Sequence, residues 1–182
     1  MTPGAAPPWQ TTSWLNSDAP LALEHFRGRV VLLHAFQMLC PGCVAHGLPQ
    51  AQRVAQVFAR APLAVVGLHT VFEHHEAMPV VALRAFLHEY RVRFPVGVDQ
   101  PGVDGDPIPQ TMRAYAMAGT PTTLLIDAAG RLRHQVFGSY DDLRLGADLQ
   151  ELLHEARPDA LVAAPTATTD AGACAPDACA SE

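Results

Sequence analysis

The chain has 182 residues, a formal net charge of −6 and four cysteines, and 49% of its residues are hydrophobic. That length suits a single domain with a sizeable buried core. The acidic balance, with no basic cluster, excludes a nucleic-acid surface, and no apolar run is long enough to cross a bilayer. The opening stretch, Met1-Thr2-Pro3-Gly4-Ala5-Ala6-Pro7-Pro8, places no Lys or Arg ahead of an apolar segment. No secretory signal is therefore read there, and a cytoplasmic location is expected.

Residues 1–13 are rich in Pro, Ala and Thr and are expected to form a flexible arm, with the ordered part beginning at Trp14. Residues 21–26 read as a short strand or turn, and 30–36, Val-Val-Leu-Leu-His-Ala-Phe, as a buried strand. From 41 to 60, Val44, Leu48, Ala51, Val54, Ala55 and Phe58 recur at helical spacing. Pro41 suits the first helical position, and Pro49 inside the same pattern is expected to kink the helix. Residues 63–68 form a second apolar strand, followed by a polar loop over 69–77. A helix over 80–90, a short strand over 94–98 and a Gly/Pro/Asp loop over 99–109 come next. A short helix over 111–116, a strand over 122–126 and a hairpin partner over 131–137 follow, with a turn at Asp127-Ala128-Ala129-Gly130. Asp141-Asp142 caps a last helix reaching about Ala156. The alternation is that of an α/β domain over 14–156, with parallel crossovers first and an antiparallel hairpin last. Residues 157–182, rich in Ala, Thr, Pro and Asp, are expected to be a flexible tail carrying Cys174 and Cys179.

The chemistry centres on Cys40-Pro41-Gly42-Cys43, where the first long strand gives way to a helix. The amides and dipole of a helix start favour a thiolate, the form that attacks disulfides and peroxides. Four cysteines in two pairs are too few for a disulfide scaffold, so such pairs are read as catalytic or metal-binding. Cys40, Cys43 and His46 also make a Cys-x2-Cys-x2-His spacing that suits zinc or copper, although no fourth ligand is identifiable. His69-Thr70-Val71-Phe72-Glu73-His74-His75-Glu76 lies at the carboxyl end of a strand, where it reads as a metal site, a substrate contact or a solvated loop. Cys174 and Cys179 are candidates for an internal redox shuttle, a metal-capturing arm or a simple tail disulfide. A flexible spacer of about 17 residues has a root-mean-square reach of roughly 23 Å, enough to find Cys40.

This order of elements, with Cys40-Pro41-Gly42-Cys43 after the first long strand and Gly119-Thr120-Pro121-Thr122 before a later one, resembles the thioredoxin-like superfamily. The resemblance covers 14–156 and is to the redoxin branch, which includes TlpA-like thiol-disulfide oxidoreductases and AhpC/TSA peroxiredoxin-like proteins. It implies a central mixed sheet flanked by helices, with Cys40 as nucleophile and Cys43 as resolving thiol. It also implies a cis Pro121 facing the dithiol, with Thr120, Pro41 and Gly42 lining the substrate groove. The implied partners are a protein or small-molecule disulfide or peroxide and an electron-donating or electron-accepting thiol. No cofactor, resident metal, nucleic acid or membrane partner is expected.

Several positions depart from the family pattern. Leu39 stands where an aromatic residue often precedes the first cysteine. His34 stands where thioredoxins place a buried Asp, and is read either as a core histidine or as the proton acceptor for Cys43. Peroxiredoxins need a hydroxyl residue three positions before the reactive cysteine and a proline seven before it; here these are Gln37 and Leu33. The expected activity is thiol-disulfide exchange, with a thiol peroxidase as one alternative. The other, from a different class, is a copper or zinc carrier built on Cys40, Cys43 and a nearby His.

Overall fold

The structure, a computed structural model, describes residues 4–156. The strands are β1 (Thr11–Leu15), β2 (Val30–Phe36), β3 (Leu63–His69), β4 (Val96–Asp99), β5 (Thr122–Ile126) and β6 (Leu132–Phe137). The helices are α1 (Leu48–Val57), α2 (Val80–Glu89), α3 (Gln110–Ala114) and α4 (Asp142–Glu155). One six-stranded sheet runs β1-β4-β3-β2-β5-β6. β2, β3 and β4 pair in parallel, whereas β1, β5 and β6 join antiparallel. This is the mixed sheet flanked by helices that the sequence implied.

β2 is central because both its faces are apolar: all seven residues are buried. Val30, Leu32 and Phe36 face a core completed by Leu48 and Val54 of α1, Leu83 and Leu87 of α2, and Leu145, Leu149 and Leu152 of α4. Val31, Leu33 and Ala35 face a second core that includes Trp9, Phe26, Met112 and Tyr115. Strand alternation puts His34 on the first of these faces. Its neighbours across the sheet are Gly67 of β3 and Thr123 of β5.

The amino-terminal segment differs from the expected arm. Thr11–Leu15 forms the edge strand β1 against β4, Ala5 bridges to Arg131, and Trp9 is buried. The Trp9 indole N–H donates to the Tyr115 hydroxyl at 3.2 Å, and that hydroxyl donates to the Pro7 carbonyl at 2.7 Å. Proline at positions 3, 7 and 8 disfavours helix and strand, but burial of one indole against Phe26 and Trp14 outweighs it. Residues 23–26 form a single 3-10 turn that buries Leu23 and Phe26.

The helix expected over 41–60 begins at Pro41 but widens into a π-helical turn over Cys43–Gly47 before α1 starts. Val44 N–H donates to the Cys40 carbonyl, whereas Leu48 N–H reaches back one residue further, to Cys43. Pro49 explains the wider turn. In a regular α-helix its ring would collide with the carbonyl four residues before it, and the extra residue per turn relieves that clash. Asp99, at the end of β4, accepts from the amides of Thr111 and Met112 and from the Thr70 hydroxyl, which ties the start of α3 to the sheet. Among the described residues no helix is long and apolar enough to cross a membrane. Cys174 and Cys179 lie outside the described residues.

Candidate active site

The end of β2 delivers Cys40 to the surface and tucks Cys43 beneath it. Cys40 is half-buried and Cys43 fully buried, and their Sγ atoms stand 2.6 Å apart. The Cys43 amide donates to Cys40 Sγ at 3.2 Å, a contact that strengthens when that sulfur is an anion. Burial, and then the hydrogen bond to Cys40, push the Cys43 thiol up to about 12, so Cys43 keeps its proton at neutral pH. The two thiols are therefore unequal: one is accessible and held by an amide, the other is buried and protonated.

The opposite wall is the loop into β5. The Thr120–Pro121 peptide bond is cis. The Thr120 carbonyl lies 3.5 Å from Cys40 Sγ, and the Pro121 ring packs against Gly42, where an added Cβ would sit 3.3 Å from Pro121 Cδ. Pro41 is exposed at the rim. Cys40, Cys43, Gly42, Thr120 and Pro121 thus converge around one mouth. Gln37 is buried just below it, with its amide nitrogen 3.5 Å from both Thr120 Oγ1 and Glu73 Oε1. The side chain at this position is an amide, without the hydroxyl that a peroxidatic pocket uses.

His34 lies one layer deeper. It is buried, its Nδ1 is 3.2 Å from Thr123 Oγ1, and its ring stacks on Phe36. Its Nε2 has no hydrogen-bond partner among the described residues. Burial alone pushes the imidazole down to about 4, so it is neutral near pH 7. Gly47 makes this placement possible. A Cβ there would fall 2.5 Å from His34 Cε1, 2.6 Å from Nε2 and 3.2 Å from Pro121 Cβ. Gly47 stands four residues after Cys43, so the bare backbone next to the imidazole belongs to the active-site turn itself.

Gly47→Ala tests that fit. Helix propensity favours Ala by up to ~1 kcal/mol, while overpacking a closed site costs about 1–3 kcal/mol. The ring cannot retreat from Phe36 and Thr123, so the clash wins. A lower midpoint in urea unfolding is expected; a variant as stable as the parent would show that the imidazole has room.

Beside the dithiol, a cleft of about 390 Å³ runs between the π turn and the β6–α4 loop, lined by Gly42, His46, Gly47, Pro121, Thr123 and Tyr140 among others. Its outer rim is tied by Arg53 and Gln50, which both bond to Asp142. The sequence reading missed Thr123, Gly47 and this cleft. Nothing in the local sequence marks Thr123; the register that sets β5 against His34 is what pairs the two. The other polar candidates scatter. His46 and the His74–Glu76 segment are exposed, and His69 is buried at the end of β3 beside Phe36. Among the described residues no group of three His, Cys, Asp or Glu side chains is placed to hold a metal ion.

Residues 4–135 match the AhpC/TSA family model. The structure superposes on the crystal structure of a thioredoxin-like superfamily protein with a TM-score of 0.81 and 58% identity, covering 85% of this chain and 99% of that one. It is similar to a thiol-disulfide isomerase from Corynebacterium glutamicum at a TM-score of 0.77 and 45% identity, over 81% and 96% of the two chains. Protein DipZ of Mycobacterium tuberculosis is 28% identical over 160 residues, which is 87% of this chain. The chain spans 22% of the length of that curated relative. With the dithiol, the cis-proline wall and the mixed sheet in place, the match assigns the protein: the chain belongs to the AhpC/TSA family, in the redoxin branch of the thioredoxin-like superfamily.

Proposed function

We propose that the protein catalyses thiol-disulfide exchange through Cys40 and Cys43. The observation that carries this reading is the inequality of the two sulfurs, with Cys40 Sγ half-exposed under an amide and protonated Cys43 directly behind it. Cys40 thiolate attacks one sulfur of a substrate disulfide, forming a mixed disulfide and expelling the first thiolate. Cys43 gives up its proton and attacks Cys40 Sγ, closing the Cys40–Cys43 disulfide and expelling the second thiolate. The substrate gains two electrons and the protein loses them. His34, neutral and buried beneath the same turn, takes the Cys43 proton. Pro41, Gly42, Thr120 and Pro121 form the groove that receives the substrate chain. The name of the Corynebacterium neighbour, a thiol-disulfide isomerase, agrees with this reading.

AhpC/TSA membership favours peroxide reduction as a second reading. Gln37 and Leu33 oppose it, because neither supplies the hydroxyl or the proline that the peroxide pocket uses. A metal-carrier role lacks a ligand cluster among the described residues. The deciding experiment presents the reduced protein with glutathione disulfide and, separately, with hydrogen peroxide, and follows closure of the Cys40–Cys43 bond. Disulfide is expected to react much faster. Faster oxidation by peroxide would replace the first reading with the second, and stoichiometric zinc or copper binding that survives competing chelators would replace both.

A further inference from the structure

We infer that Arg84, Arg91 and Arg93 form a docking surface for an acidic face of the protein whose disulfide Cys40 attacks. This deepens the exchange reading of Cys40 and Cys43 and rests on it. A mouth built from Gly42, Thr120 and Pro121 touches the few residues around a substrate disulfide. Surface beyond it is where one partner protein can be told from another.

The sequence has 12 arginines and no lysine, in a chain of net charge −6. Arg53, Arg113, Arg131, Arg133 and Arg144 pair with carboxylates, and Arg27 and Arg29 donate to backbone carbonyls. Among the described residues, the exposed Arg60, Arg84, Arg91 and Arg93 do neither. The last three line one hollow of about 780 Å³ beside the segment that joins α2 to β4. No Asp or Glu lines that hollow, or the neighbouring one of similar volume that shares Arg91 and Arg93. Glu89, close by in sequence, sits 3.3 Å from His88 instead. In a chain with an excess of acids, three cations left together without a counter-charge mark a place for an external one.

The backbone presents these groups in a fixed geometry. Arg91 has a φ of 53°, an uncommon conformation for a residue with a side chain. The Gln52 amide donates to the Tyr90 and Arg91 carbonyls at 2.9 and 3.1 Å. The Asn16 amide donates to the Val92 and Phe94 carbonyls at 2.8 and 3.2 Å. α1 and the residue after β1 thus clamp the turn from two sides, and less freedom is lost when a partner arrives. Guanidinium forks suit carboxylates, and the exposed Tyr90 stacks on Phe86 at 4.3 Å beside them. Arginine and tyrosine around an open hollow are interface composition, which favours a protein over a small anion.

Its position suits the task. On α1, Gln52 and Gln56 line this surface, Gln50 lines the dithiol cleft, and Arg53 lies on the ridge between and lines both. A protein seated over Cys40 therefore reaches the arginines across a single helix, about 10 Å wide. Asp142 already engages Arg53, so recognition falls to Arg84, Arg91 and Arg93.

The test measures oxidation of the full reduced chain by peptides that carry one cysteine as a mixed disulfide with a coloured aromatic thiol. Each peptide places a block of Glu, or the same block of Gln, about eight residues before or after the cysteine, a linker that spans up to ~26 Å. At low ionic strength the Glu peptide of one orientation is expected to release the thiol about tenfold faster than its Gln counterpart, the lower end of electrostatic steering. The advantage should vanish in about 1 M salt, where screening leaves a range of only ~3 Å. It should also vanish in Arg91→Glu/Arg93→Glu, which should still react with the Gln peptide at the parent rate. Arg60→Glu should keep it, because that equally unpaired arginine lines a separate hollow. Equal rates for Glu and Gln peptides, or a preference that survives charge reversal at 91 and 93, overturn the inference. Binding of pyrophosphate at these arginines without any peptide preference overturns it too, and would make the hollow a small-anion site. Failure of every peptide to oxidise the parent would instead overturn the exchange reading.

Discussion

Cys40→Ser is expected to remove disulfide exchange almost completely, by roughly 10³-fold or more, the scale on which losing the nucleophile of a catalytic unit acts. A serine hydroxyl does not ionise near neutral pH, and the Cys43 amide that supports a sulfur anion at 3.2 Å does nothing to change that. Cys43→Ser should behave differently. Cys40 still attacks, but nothing behind it can expel the second thiolate, so the protein should accumulate as a stable mixed disulfide with its substrate, visible as a mass increase equal to one substrate thiol. The asymmetry is the informative part, because two interchangeable thiols would give the same trapped species from either variant. Exchange that survives in Cys40→Ser, or turnover at the parent rate in Cys43→Ser, would reject the assignment of roles.

That asymmetry was partly legible in the sequence, because it follows from local order. A buried and largely apolar strand must end at the surface before a helix can begin, so the first cysteine after β2 is accessible and the one a turn later is buried. Thr120-Pro121 was readable only through family resemblance, since nothing in the local residues says that this loop faces Cys40. The rest depended on contacts between distant segments. Residues 5–13 read as loose because their composition is, yet Trp9 finds Tyr115 and Thr11 pairs with Asp99. Pro49 correctly signalled a helix irregularity, but its outcome is a widened turn that also brings Gly47 onto His34. The cleft joins Gln50 and Arg53 to Asp142, roughly ninety residues away, and no short-range pattern announces such a pairing.

The second large effect concerns acid. His34 and His69 are both buried against Phe36, and burial pushes each imidazole from the ordinary 6.5 to about 4. The unfolded chain therefore binds two more protons than the folded one between these values. The resulting stability is fully present above pH 6.5 and is lost as pH falls toward 4. At ~1.4 kcal/mol per pH unit for each histidine, the combined loss has an upper limit of about 7 kcal/mol, comparable to the whole stability of many domains. Two other sets of groups act differently. Asp127, Asp148 and Glu155, held below the usual carboxylate range, lose their contributions only at lower pH. Asp99, raised by burial, favours the folded state as acid is added and offsets part of the fall. Urea unfolding between about pH 7 and pH 5 should show a steep drop in the midpoint, halved in slope by either His34→Gln or His69→Gln, because each removes one of the two titrations. A midpoint that stays constant across that range would mean that these imidazoles are hydrated in the folded protein.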